Sequence, residues 1–221
     1  MTRYRCLVLD HDDTAVMSTP NVHYPSFIDT MKKLRPDVPP IEEEAYFRMW
    51  FDSNFDHYCK NVLRFTSEEE DFQLSNWRSY VERIIPAFHN GMADIIRRQI
   101  AEGGLVCVVS HSYSHYIKRD YEAAGLPQPH CMLGWEIGAD KQKPHPYPLE
   151  YIAQKYNLAP SDILMVDDLK PGYDMSQAFG CDCALALWSY TQSLRDFITA
   201  GCPKGIPMLT TRDLANYLFG A

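Results

Sequence analysis

Asp10-His11-Asp12-Asp13-Thr14 closes one apolar run, Ser110 a second, and Asp167-Asp168 a third, while Lys143-Pro144-His145-Pro146 follows a fourth. A single carboxylate in such a place caps a helix or faces water. Four of them, Asp10, Asp12, Asp167 and Asp168, converging on one crevice would repel each other, and a divalent cation removes that cost. Hard carboxylate oxygens completed by water and a phosphate suit magnesium better than zinc. Lys143 and Ser110 add a fixed positive charge and a hydroxyl donor, the two groups a phosphoryl oxygen needs.

Those residues can meet only if the runs preceding them lie side by side. The runs Arg5 to Leu9, Leu105 to Val109, Cys131 to Trp135, Ile163 to Val166 and Cys183 to Leu187, with a weaker one at Pro207 to Leu209, are short and continuously apolar. Strands of this kind are buried on both faces of a parallel sheet. Helical patterns separate them: Gly91 to Glu102 before Gly103-Gly104, a stretch after Ser114 ending at Gly125, and another from Pro146 through Tyr156. Alternation of this sort predicts an α/β fold, a Rossmann-like parallel sheet core flanked by helices. Ligands of such sheets bind beyond the carboxyl ends of the strands, where strand order reverses.

Residues 18–88 interrupt the alternation. Ser26 to Leu34, Ile41 to Tyr58, and a segment opened by a capping box at Ser67-Glu68-Glu69-Glu70 and striped by Leu74, Trp77, Val81 and Ile84 all read as helices. The expected organisation is a core of residues 1–17 and 89–221 with an α-helical cap domain, 18–88, inserted after the first strand. Hinges are expected near Val16 to Thr19 and Pro86 to Asn90.

A chain of 221 residues with 46% hydrophobic content is long enough to bury a full core. Its net charge of -8 argues against nonspecific binding of nucleic acid or an anionic membrane surface. The apolar run after Arg5 is too short for a signal sequence, and no stretch reaches membrane-spanning length. Seven cysteines, several in apolar runs, read as reduced and buried. A cytoplasmic monomer or homodimer is expected.

The four motifs, Asp10-His11-Asp12-Asp13-Thr14, Val108-Val109-Ser110, Lys143-Pro144-His145-Pro146 and Met165-Val166-Asp167-Asp168, resemble in order and spacing those of the haloacid dehalogenase superfamily. Within it the chain is similar to the helical-cap branch that includes phosphoglycolate phosphatase and beta-phosphoglucomutase. The resemblance covers nearly the whole chain and extends through Pro171-Gly172 and Ala178-Phe179-Gly180.

The resemblance implies that Asp10 is a nucleophile forming an aspartyl-phosphate, and that Asp12 is the acid/base residue. It implies that Thr14 and Ser110 position phosphate, that Lys143 offsets charge, and that Mg2+ is held by Asp10, Asp168, the Asp12 carbonyl and the neighbouring Asp167. His111, beside Ser110, joins the expected phosphate-binding residues. A metal pair of His111 and His115 would require both on one helix. The chain departs from the pattern at Asp13, where glycine is usual, and at His11, usually apolar, for which a structural role is favoured over contact with the substrate or cap interface. A Mg2+-dependent phosphatase acting on a small phosphorylated metabolite is expected, with a phosphosugar mutase as the alternative and a non-catalytic phosphate-binding protein behind both. Asp12 argues against dehalogenation.

Overall fold

The computed structural model describes residues 2–220. Six parallel strands, β1 (Cys6–Leu9), β2 (Leu105–Val109), β3 (Cys131–Leu133), β4 (Ile163–Asp167), β5 (Asp182–Ala186) and β6 (Ile206–Met208), form one sheet in the order β3-β2-β1-β4-β5-β6. The order runs outward from β1 in one direction through β2 and β3, then resumes at β4 on its other side. The switch point therefore falls between β1 and β4, where Leu9 pairs with Val166 and the Asp10 amide donates to the Val166 carbonyl at 2.9 Å.

The chain divides into two compact units, one running through Val16 and resuming at Ala87, the other Met17–Pro86. The second unit contains α1 (Tyr24–Leu34), α2 (Glu43–Phe51), α3 (Phe55–His57) and α4 (Ser67–Arg83). Its apolar centre is Phe27, Met31, Tyr46, Phe55, Cys59, Leu63 and Phe65. The expected continuous helix from Ile41 to Tyr58 is broken: Ser53 takes a left-handed φ of 57° between α2 and α3, and the turn folds Phe55 back to stack on Trp50 with centroids 4.4 Å apart. The capping box falls one residue early, on Thr66 and Glu69, because Glu69 also makes a two-pronged ion pair with Arg35 at 2.6 and 2.8 Å. The stripe predicted on α4 is only partly used, since Val81 is buried, Leu74 exposed and Ile84 lies beyond the helix.

The first unit carries the sheet with α5 (Met92–Ala101), α6 (Ser114–Ala123), α7 (Tyr147–Tyr156), α8 (Lys170–Phe179), α9 (Gln192–Gly201) and α10 (Thr211–Phe219). Alternate strand residues Leu7, Leu9, Val106, Val108, Leu164 and Val166 join Ile96, Ile117, Tyr121 and Leu214 in one apolar layer. Their neighbours Cys6, Val8, Cys107, Met165 and Cys183 are buried as well, and α8 packs on β4 and β5 with α7 beside it. Both faces are covered, as continuously apolar strands require. All seven cysteines are buried and free.

β2 matches expectation and the other strand ends shift by no more than one residue, except at β3, which stops two residues early at Leu133 because Trp135–Ile137 turns into a short 3-10 helix. Pro146 caps α7 from outside instead of opening it, and Ser114 is the first residue of α6 with Tyr113 at the cap. The unit's two connections to the helical insert are laced together: Val16 bridges Phe88 in antiparallel fashion, and the His89 amide donates to the Ala15 carbonyl at 3.0 Å. Among the described residues no helix is long and apolar enough to cross a membrane.

Candidate active site

Just past the carboxyl end of β1, Asp10 is buried, and so are Asp167 and Asp168 at the end of neighbouring β4. The register that sets Leu9 beside Val166 brings the three carboxylates together, so that one oxygen from each lies within 4.8 Å of the others. Lys143, from the loop between β3 and α7, donates to Asp10 Oδ1 and Asp167 Oδ2, both at 2.7 Å. Burial disfavours the Lys143 ammonium, but the two carboxylates outweigh it and hold its pKa above the ordinary lysine range. Three carboxyl groups thus face one ammonium in a dry setting.

The residual imbalance appears in the acids themselves. Burial pushes Asp167 up to about 6; Lys143 opposes the rise and Asp10 adds to it. Asp168 is raised further, first by burial and then by the charges of Asp167, Asp10 and Asp13. A divalent cation would relieve both. Three buried carboxylate oxygens at this separation form a donor set that fits a hard cation.

Asp168 accepts the Thr14 hydroxyl at 2.9 Å on Oδ1 and the Tyr190 hydroxyl at 2.6 Å on Oδ2. Thr14 is fully buried, and its hydroxyl is turned to the Asp168 carboxylate. Asp167 completes its bonding by accepting the Leu169 amide at 2.9 Å. Gly172, in the first turn of α8, presses against this group: a Cβ there would stand 1.9 Å from Asp167 Oδ2.

Asp12 is less buried than Asp10 and accepts the Ser112 hydroxyl on Oδ2 at 2.5 Å. The Ser112 amide in turn donates to the Ser110 hydroxyl oxygen at 3.1 Å, linking the end of β2 to the β1 loop. The neighbouring His111 places Nε2 3.2 Å from the Lys143 carbonyl, which can only accept, so that nitrogen carries hydrogen. Burial, and then the Lys143 charge, lower the His111 pKa and favour the neutral ring. His111 lies before α6, so it shares no helix with His115 and the arrangement needed for a metal pair does not form.

His11 turns into the core, its Nε2 3.0 Å from Asp120 Oδ2 on α6 and its ring stacked on Tyr121. Asp13 adopts a left-handed φ of 57°, the conformation that makes glycine usual here and that aspartate tolerates. Its carbonyl accepts His89 Nε2 at 3.1 Å. Ser112, Tyr190 and His89 carry no chemical signal in the sequence, whereas Pro171-Gly172 marks family likeness without revealing Asp167 as the neighbour of Gly172.

An α/β sheet whose switch point gathers buried carboxylates around a lysine defines a class of proteins with a polar, cation-ready centre at the strand ends. A family model for haloacid dehalogenase-like hydrolases matches residues 4–180. The chain belongs to that family. No curated protein matches it.

Among solved structures it is similar to a predicted phosphoglycolate phosphatase from Haemophilus somnus (20% identity, 98% of each chain, TM-score 0.74). A HAD family hydrolase from Deinococcus radiodurans with bound phosphate and sodium is also similar (16% identity, 99% of each chain, TM-score 0.73). A third similar structure is the D10N mutant of CbbY from Rhodobacter sphaeroides in complex with xylulose-(1,5)bisphosphate (15% identity, 82% of this chain and 85% of that one, TM-score 0.62). At these identities the likeness concerns the fold.

Proposed function

We propose that the protein is a Mg2+-dependent phosphatase that hydrolyses a small phosphate monoester through an aspartyl-phosphate on Asp10. The observation that carries this reading is the buried carboxylate of Asp10, held by Lys143 within a cluster that includes Asp167 and Asp168. Asp10, Asp167 and Asp168 would hold the cation together with the Asp12 carbonyl. When bound, it supplies charge neutralisation between the carboxylates and the incoming phosphoryl oxygens.

The protein's own groups do the rest. Lys143 orients the Asp10 carboxylate for attack and balances charge on the phosphoryl group. Asp12, steadied by Ser112, protonates the leaving oxygen and later takes a proton from the water that cleaves the aspartyl-phosphate. Ser110 and His111 line the approach to the transferred group. The helical unit Met17–Pro86 is assigned to substrate choice. Phosphate bound to the Deinococcus relative and a sugar bisphosphate bound to CbbY support a small phosphorylated ligand.

A panel of phosphate monoesters assayed with and without MgCl2 tests the reading. Phosphate release that needs Mg2+ is expected, whereas interconversion of sugar phosphates without release would favour a mutase. Asp10→Asn should abolish turnover while its circular dichroism and melting stay near the parent's. Persistent activity would place the nucleophile elsewhere.

A further inference from the structure

We propose that Tyr190 is the positioning residue that holds Asp168 for the cation and so sets the divalent-metal affinity of the site; this rests on the magnesium reading above. The phenol lies in the loop between β5 and α9, far in sequence from the four motifs, yet it donates to Asp168 Oδ2 at 2.6 Å. The Thr14 hydroxyl donates to the other oxygen at 2.9 Å. The carboxylate is therefore gripped at both oxygens, by loops that follow two different strands.

Each carboxylate oxygen has two lone pairs, so a hydroxyl occupies one and leaves the other for a metal. Hydrogen bonds of this kind fix the orientation of a ligating carboxylate, and their loss usually weakens metal binding about 10- to 100-fold. Such restraint matters at Asp168 because oxygens of Asp167 and Asp10 lie within 4.8 Å of its own, and like charges at that separation repel.

The loop that carries Tyr190 is itself fixed. The Tyr190 amide donates to the Leu187 carbonyl at 3.4 Å, closing a turn. The Ser189 hydroxyl lies 3.3 Å from His89 Nδ1, and His89 Nε2 holds the Asp13 carbonyl at 3.1 Å. The phenol thus approaches Asp168 from a loop tied to the same segment that bears Asp10 and Asp12. Phenylalanine would keep the shape and remove only the donor.

Calorimetric titration of the metal-free protein with MgCl2 tests this. Tyr190→Phe should bind Mg2+ about tenfold more weakly than the parent, with the metal-free fold retained by circular dichroism. Raising MgCl2 should restore most of its phosphatase kcat, and KM for the ester should not move. Tyr190→His, which returns an N–H donor, should bind between the two and provides the comparison if the phenylalanine variant folds poorly. A Tyr190→Phe affinity equal to or tighter than the parent's, or a Tyr190→His affinity no better than that of Tyr190→Phe, overturns the inference. A parent protein that binds no Mg2+ overturns the magnesium reading instead.

Discussion

Lys143 answers two carboxylates at once, with Nζ 2.7 Å from both Asp10 and Asp167 and almost no solvent to share the load. Removing one partner of a buried pair leaves an uncompensated charge, which usually costs about 3 to 5 kcal/mol. Lys143→Met should therefore lower stability in urea unfolding by about 3 kcal/mol as well as abolish turnover, and added MgCl2 should recover part of the stability. At this scale the sequence was informative where residue types repeat a chemical theme. Aspartates closing two apolar runs and a lysine in the loop after another are legible because strand ends in a parallel sheet face one crevice. Ser112 and Tyr190 were not legible, since a lone hydroxyl in a loop has no periodicity and its partner sits 100 residues away for Ser112 and 22 for Tyr190. The bond from Thr14 to Asp168 was not legible either, because the spacing of Thr14 from Asp10 does not reveal that β4 brings Asp168 within reach.

At the level of elements, α8 begins so close to the site that its first turn has no room for a side chain. Gly172→Ala would force a methyl against Asp167 Oδ2, which a Cβ would approach to 1.9 Å. Overpacking of this sort costs about 1 to 3 kcal/mol. A lower melting temperature is expected, together with a kcat loss larger than the stability loss explains, because Asp167 and Lys143 shift together. In the helical unit, the Arg35 guanidinium and the Thr66 amide hold the half-buried Glu69 carboxyl at about 2, below its ordinary 4.5. An acid depressed by folding adds stability above its unfolded pKa and loses it as pH falls through the folded value. Glu69→Gln should accordingly melt below the parent at pH 7, with the gap closing between pH 4.5 and about 2 in melts followed by circular dichroism. The strands were readable as uninterrupted apolar runs, whereas the break at Ser53 was not. A helical stripe continues through that turn in sequence, and only the packing of Phe55 on Trp50 shows the chain has folded back.

Across the whole molecule, the chemistry-bearing residues come from loops following β1, β2, β3, β4 and β5, and one sheet fixes their relative positions. The helical insert leaves this framework between Val16 and Phe88, which are bridged to each other. Because its two ends are already joined, the insert is tethered as a closed loop of about 70 residues. Closure entropy grows so slowly with length that doubling such a loop costs only about 0.6 kcal/mol. The insert can therefore lengthen, shorten or change sequence with little penalty to the sheet, while Asp10 and Asp12, a few residues before the bridge, stay where β1 puts them. Inheritance can then revise which molecules are admitted without renegotiating how a bond is broken.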